Sequence, residues 1–318
     1  MKPLPPPLIA VEVGLTAAIV TMAAGEPMIL TAGGGAGQVA LPSGLFDPLE
    51  HRTFEIGLRN WVARQTGVKL GYVEQLYTFG DRGRHAQQGD RDPHVISVGY
   101  LALANYGAAL GHAGQGLPDY QPWYGFFPWE DWRKGRPGLI DGVIAPLLKT
   151  WAGDVRSRCE RAVRLFALGN LAFDEDDVLG RYELLYEAGL VEEARRDGRL
   201  AALERGPLPV LGRPMRFDHR RILATAMGRL RSKMKYRPVI FELMPENFTL
   251  TALQNAVEAI SGRHLHKQNF RRLVEASQVA EPVAGAMAST GGRPAALFRF
   301  RRDEVRERAG GLRMGGQG

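Results

Sequence analysis

The chain has 318 residues, 45% of them hydrophobic and 24% charged, a balance that excludes a disordered chain and leaves room for two ordinary domains with their own cores. One cysteine, Cys159, cannot close an internal disulfide, and seven histidines without paired-cysteine spacing argue against structural zinc, so a reducing cytoplasm is expected. The net charge of +7 is uneven: Arg213 to Arg308 carries 19 Lys and Arg against 9 Asp and Glu, the remainder 22 against 25, which places a polyanion-binding module in the C-terminal third.

The apolar run Leu8 to Ala24 is interrupted by Glu12 and has no stop-transfer flank, so neither a signal peptide nor a membrane span is expected. Its β-branched residues Ile9, Val11, Val13, Thr16, Ile19 and Val20, then Glu26-Pro27 and the run Met28 to Thr31, predict paired strands. The glycine run Gly33 to Gly37 lacks both Gly-Lys-Ser/Thr and the Gly-x-Gly-x-x-Gly order, and reads as a turn or loop. Between Leu41 and Val68 the punctuation is that of a helix: Asp47 as cap, Pro48 at the first helical position, Glu50 completing a capping box and Gly67 as the stop. A loop rich in Arg, Gly and Asp from Gly80 to Pro93 precedes a strand at Val95 to Leu103. Such a loop is where phosphates and ribose would be met.

The stretch Gly44 to Val68 resembles the Nudix box: a glycine, a glutamate six residues on, and a terminal Arg-Glu-hydrophobic-X-Glu-Glu-X-Gly-hydrophobic. With the end anchored on Gly67-Val68, the terminal block falls on Asn60, Trp61, Val62, Ala63, Arg64 and Gln65, and every expected carboxylate is absent. Counting forward from Gly44 puts Arg59, Val62 and Ala63 there, and only Glu50 survives, as helix cap or metal ligand. Nudix hydrolysis needs several carboxylates to hold divalent cations against a diphosphate. No catalytic residue, metal ligand or catalytic cofactor is therefore expected, and the chain is expected not to be an enzyme. The words Gln75-Leu-Tyr-Thr-Phe-Gly-Asp81 and Ser97-Val-X-Tyr100-X-Ala-Leu103 are similar to those of Nudix-related transcriptional regulators of NAD metabolism. That resemblance implies a nucleotide effector such as ADP-ribose, NAD or ATP, and Arg59, Arg82 and Arg84 are the candidate contacts.

Residues 106–212 hold Trp123, Trp129, Trp132 and Trp151 among several prolines, the composition of a packed joint rather than of a base-stacking surface, because interleaved Lys and Arg are sparse. Helices are expected at Asp154 to Leu168 and Asp174 to Arg196, the second opened by four acidic residues that complement its dipole. Gly206 to Pro214 reads as a linker.

In the basic third, Asp218 caps a helix with Ile222, Leu223, Ala226, Leu230 and Met234 on one face and Arg229, Arg231 and Lys233 on the other. Val239 to Leu243 is a candidate strand. Thr249 caps a second helix that ends at Gly262, and a third begins near His264 with Phe270, Leu273 and Val274 inward and Lys267 and Arg271 one turn apart. Val279 to Val283 and Ala296 to Arg301 flank a basic tip at Arg293. This order is a winged helix-turn-helix, with Lys267, Gln268, Asn269, Arg271, Arg272 and Arg293 as candidate DNA contacts. Phe248-Thr-Leu-Thr, Asn269-Phe-Arg-Arg and Gly292-Arg-Pro resemble the C-terminal domain of the same regulators.

The expected fold class is α+β: a Nudix-like α/β/α sandwich at 1–105, a helical connector at 106–212, a winged helix-turn-helix at 213–308 and a flexible tail at 309–318. The resemblance implies a homodimeric repressor of NAD biosynthesis or salvage genes that binds a double-stranded DNA operator and an NAD-related nucleotide, without a membrane. The rival reading is an active ADP-ribose or NADH pyrophosphatase with a basic appendage. A third makes the basic module an RNA-binding or partner-docking domain.

Overall fold

The computed structural model describes residues 11–33, 39–81, 94–105, 119–169, 171–288 and 294–301. Strands β1 (Val11–Ala23) and β2 (Glu26–Gly33) form the expected antiparallel pair. The sheet continues through β3 (Val39–Ala40), β4 (Ser43–Leu45), β5 (Val73–Phe79), β6 (His94–Leu103) and β7 (Asp119–Pro122), in the order β3-β2-β1-β6-β5 with β4 beside β1 and β7 beside β2. β1 and β6 run parallel from Val11 opposite His94 to Val20 opposite Leu103, which makes the sheet mixed. The two strands are its centre and need cover on both faces, because alternate side chains point to opposite sides.

One face packs Leu15, Ala17 and Ile19 of β1 and Val98, Tyr100 and Ala102 of β6 against Leu58 and Val62 of helix α1 (Phe54–Thr66). Each fully buried side chain of this size contributes about 1.5–3 kcal/mol. The helix ends as expected, with Gly67 at φ +68° donating its N–H to the Ala63 carbonyl. Its start differs. Asp47 spends its carboxylate on the Leu49 N–H in a tight turn, and the cap is Thr53, whose hydroxyl accepts from the Ile56 N–H at 3.2 Å.

The other face carries Ala18, Val20, Leu101 and Leu103 and is closed by Ile222, Leu223, Ala226 and Leu230 of the helix His219–Met234. The helices of the connector come before it in the chain: α2 (Ala145–Ala152), α3 (Arg156–Leu165), α4 (Val178–Glu187), α5 (Glu192–Arg196) and α6 (Leu200–Leu203) make His219–Met234 α7. The apolar stripe of α7 is the one read from the sequence, but it covers the sheet rather than a separate module. Its expected cationic face is a correction: Arg231 is fully buried and Lys233 nearly so.

The connector departs from expectation in three further places. The helix expected at Asp174 to Arg196 is two, broken after α4 at Gly189 (φ +68°), where a Cβ would collide with the Ala201 carbonyl carbon. The acidic run leads into α4, with Asp177 at the cap position as expected, but its side chains pair with cations: Glu175 with Arg263 at 2.9 Å and Lys235 at 3.1 Å, Asp176 with Lys235 and Asp177 with Arg164, both at 2.8 Å. The expected linker is clamped, since Leu211 is buried and Arg213 N–H donates to the Gly125 carbonyl. The tryptophans pack as expected, Trp123 and Trp129 fully buried.

The C-terminal segment opens with a 3₁₀ turn at Val239–Leu243, not the expected strand. Four of its five side chains are buried, and its backbone closes on itself after Pro238, so no N–H row is left to join a sheet. The strand role falls to β8 (Asn247–Phe248), followed by α8 (Leu250–Ser261), α9 (Lys267–Ser277), β9 (Ala280–Ala288) and β10 (Ala295–Phe300), with β8-β10-β9 as a small antiparallel sheet.

At the junction lies a wholly buried ion cluster. Glu130 Oε1 and Oε2 accept from Arg181 at 2.5 and 2.9 Å, and Oε2 also accepts from Arg231 at 2.7 Å; all three side chains have no exposure. Burial alone would raise the Glu130 carboxyl, but the two guanidiniums hold it below the usual carboxylate range. Glu130→Ala leaves two uncompensated buried cations and is expected to lower the unfolding free energy by about 3–5 kcal/mol in urea denaturation at neutral pH. The folded carboxyl lies below its unfolded value, so its stabilisation is full above the unfolded carboxylate range and is lost as pH falls from there through the lower folded value. The gap between wild type and variant should therefore narrow on acidification.

Candidate nucleic-acid interface and nucleotide-binding scaffold

α8 presents Leu253, Ala256, Val257 and Ile260 inward, and α9 presents Phe270 and Val274, the spacing by which a helix buries one stripe and leaves the opposite one wet. On the wet face of α9 lie Lys267, Gln268, Asn269, Arg271 and Arg272, all exposed. Arg272 donates to Asn269 Oδ1 at 3.3 Å, which leaves most of its guanidinium N–H groups outward. The structure thus brings five of the six expected DNA contacts onto one helix surface. The sixth, Arg293, lies outside the described residues.

The wing is anchored at its root. Phe300 stacks on Phe241 with ring centroids 4.3 Å apart, and Glu281 accepts from Arg299 at 2.6 Å and faces Arg301 at 3.2 Å. The Arg299 hydrogen bond is the main reason the Glu281 carboxyl sits below its ordinary range.

In the sandwich, Arg59, one of the expected nucleotide contacts, lies on α1 and is held by three partners. Its Nε donates to Glu55, and its two terminal nitrogens donate to the carbonyls of Leu70 and Gly71 at 2.8 and 3.2 Å, so the guanidinium ties α1 to the segment after it. Arg82 and Arg84 lie outside the described residues. The positions where the Nudix pattern has its carboxylates are occupied by structural contacts: Trp61 Nε1 donates to the Leu45 carbonyl at 2.9 Å, and Gln65 donates to the Ser43 carbonyl at 2.9 Å. The Trp61 indole fills the space over Gly44, where a Cβ would collide with the ring. Glu50 stands 3.7 Å from Arg64 and 3.9 Å from His51. Among the described residues no group of three or more His, Cys, Asp or Glu is placed to hold a metal ion, so this donor set does not fit the divalent cations of Nudix hydrolysis.

Two clefts lie among the described residues. One of about 990 Å³ lies between the sheet edge at Lys69, Gly71 and Asn105 and the winged-helix side at Phe241, Glu246 and Arg299; one of about 560 Å³ is lined by Val39, Glu192, Arg195, Arg196, Arg213 and Met215.

Residues 240–300 match the family model of the NrtR DNA-binding winged helix domain. The C-terminal module thus has the fold and the sequence pattern of that winged helix domain. The chain is 45% identical over 85 residues to the ADPR responsive transcriptional repressor NtrR of Acinetobacter baylyi, a stretch that makes up 26% of this chain and 33% of that protein. The match therefore spans about a third of that relative's length. In fold, the chain is similar to Shewanella oneidensis NrtR complexed with a 27mer DNA, with a TM-score of 0.57 and 20% identity over 92% of this chain and 95% of that one. A MutT/nudix family protein from Enterococcus faecalis gives 0.51 and 16% over 91% and 88%. These findings bear out the resemblance to Nudix-related regulators and the fold class: a Nudix-like mixed-sheet sandwich followed by an NrtR winged helix.

The exposed arginines of the NrtR winged helix carry the next test. Arg271→Ala and Arg272→Ala are each expected to weaken binding to duplex DNA, and to lower the slope of log affinity against log salt by about one unit for each phosphate left without its cation. Fluorescence anisotropy over a salt series measures it, and a circular dichroism melt matching the wild type shows that the fold is kept.

Proposed function

We propose that this chain is a DNA-binding transcriptional repressor of genes for NAD biosynthesis or salvage, governed by an NAD-related nucleotide bound to a Nudix-like sandwich that no longer hydrolyses it. The observation that carries the reading is the exposed row Lys267, Gln268, Asn269, Arg271 and Arg272 on the second helix of an NrtR winged helix. In this reading these side chains supply phosphate and base-edge contacts in the major groove of a double-stranded operator, and Arg293 reaches from the wing. ADP-ribose is the effector favoured, since the Acinetobacter relative is an ADPR responsive repressor; NAD and ATP are the other candidates. Arg82 and Arg84 meet the nucleotide's phosphates. A sensing unit at 1–105, a connector at 106–212 and a DNA-reading module at 213–308 divide the tasks, with β7 of the connector and α7 of the module completing the sandwich. The protein works as a homodimer in the cytoplasm, its two recognition helices matching two half-sites.

The pyrophosphatase reading is disfavoured by the chemistry of α1, where Trp61 and Gln65 donate to backbone carbonyls at positions that would have to offer anionic oxygen to a metal. Pure protein with Mg²⁺ or Mn²⁺ is expected to show no multiple turnover of ADP-ribose or NADH, read by chromatography of the products. Sustained turnover would establish the enzyme instead.

Control by the nucleotide is tested by calorimetry. ADP-ribose is expected to bind the full chain without added metal and to change its affinity for operator DNA. A coupling of about 1–3 kcal/mol corresponds to roughly 5- to 150-fold and must be equal in both directions. Equal ADP-ribose affinity of the free and DNA-bound protein would remove the regulatory part of the reading and leave the DNA-binding part standing.

A further inference from the structure

The turn between α8 and α9 is held from outside its own module. A helix leaves its last carbonyls without intrahelical donors, and α8 receives those donors from elsewhere in the chain. The Tyr124 hydroxyl donates to the Ala259 carbonyl at 2.7 Å, and Arg231 Nε to the Ile260 carbonyl at 2.9 Å. One residue past the helix, the Gly262 carbonyl accepts from the Trp132 N–H at 2.7 Å, as part of a parallel bridge between Trp132 and Arg263.

The approach is close enough to dictate residue type. Gly262 sits at φ +71°, and a Cβ there would collide with the Glu130 carbonyl oxygen, so only glycine lets the connector reach the turn. On the far side of the turn, Glu175 holds Arg263 at 2.9 Å. The next residues along the chain are His264, Leu265 and His266, and then the α9 face that carries Lys267.

We propose that Tyr124 and Glu175 are positioning residues for DNA recognition: the connector, through these two side chains and the Trp132 N–H rather than the winged helix itself, sets the turn that aims α9. This rests on the DNA-binding reading above. A recognition helix discriminates bases only where its side chains meet base edges within hydrogen-bond reach, whereas the phosphate attraction behind non-specific binding tolerates small rotations. Releasing one clamp on the turn therefore reduces specificity and leaves non-specific affinity in place.

The test uses the full chain and two duplexes: the 27-base-pair sequence that the wild-type protein selects from a randomised library, and a random duplex of the same length. Tyr124→Phe keeps the ring and removes the donor; Glu175→Ala removes the acceptor and releases Arg263. Both variants are expected to lose about three- to tenfold of their preference for the selected duplex, as the removal of one hydrogen bond implies. Affinity for the random duplex and the melting temperature should be unchanged within a few degrees. A merely structural role would lower binding to both duplexes together, in step with the melting temperature; that outcome in both variants, or an unchanged preference in both, overturns the proposal. Should one variant fail to fold, the other decides. A wild-type protein that prefers no duplex in the selection defeats the DNA-binding reading itself, and the positioning role with it, before any variant is made.

Discussion

Glu130 and its two arginines are the constraint on which the rest of the structure depends. A carboxylate stripped of water is tolerated only where cations and hydrogen bonds replace its hydration, and Glu130 meets that condition by drawing together three remote parts of the chain. Arg181 comes from α4 and Arg231 from α7, and Glu130 itself belongs to the turn after β7. The remaining donors of the two guanidiniums go to carbonyls and one hydroxyl: Arg181 to the carbonyls of Leu165 and Asp174, Arg231 to those of Glu175, Ile260 and Glu130 and to the Tyr124 hydroxyl. With two cations against one anion, these carbonyl dipoles balance the excess positive charge. The geometry of the connector, the sheet-covering helix and the winged helix is fixed at one point. A third buried arginine repeats the device nearby, where Arg220 donates to the Phe126 and Leu211 carbonyls and to Glu193.

What the sequence reveals follows from how local each signal is. The apolar stripes of α8 and α9, the Thr249 cap and the glycine stops at Gly67 and Gly262 are read within one helix and stand where expected. The start of α1 is not legible in the same way, because Asp47 and Thr53 are both competent caps and only the fold chooses between them. Val239 to Leu243 has the composition of a strand, but a short apolar run after a proline is equally served by a buried 3₁₀ turn.

The placement of α7 is hidden for a different reason. Its stripe shows that it buries one face without showing what lies beneath, and its arginines suggest a wet opposite face. Arginine is the usual mark of surface, so Arg231 and Arg220, both essentially unexposed, count toward a basic patch in the sequence while serving as internal ties in the fold. Lys235, Arg263, Arg299 and Arg301 are likewise paired with carboxylates. Among the described residues the outward charge of the basic third is therefore smaller than its composition suggests, and α9 carries three of its exposed cations, Lys267, Arg271 and Arg272. The candidate DNA face is legible, since exposed cations opposite an apolar stripe are a local pattern. The groups that hold its turn are not, because Tyr124 and Trp132 lie more than a hundred residues earlier in the chain.

The same arrangement limits how the two ends of the molecule can influence one another. α1 and α7 lie on opposite faces of one sheet, so a displacement at α1 reaches α7 through β1 and β6, whose alternate residues pack on both helices, and through the segment that Arg59 holds at Leu70 and Gly71, next to Tyr72 and Glu74, which bond to Lys233 of α7. Close-packed interiors transmit such a shift rather than absorb it. At its far end α7 carries Arg231, whose Nε is bonded to the last turn of α8. Sheet, α7, Arg231 and the α8 carbonyl form an unbroken series of packed and hydrogen-bonded groups from the sandwich to the helix-turn-helix. Contiguity of this kind is a route and not a switch; it carries control only if nucleotide and DNA favour different positions of α7. The Glu130 cluster bears on that condition, because a fully buried ion network has few alternative arrangements that keep every charge satisfied. Motion at the α8 turn is then more readily accommodated as a rigid rotation of the module about the cluster than as a deformation within it, which would keep α9 intact while changing the direction in which it points.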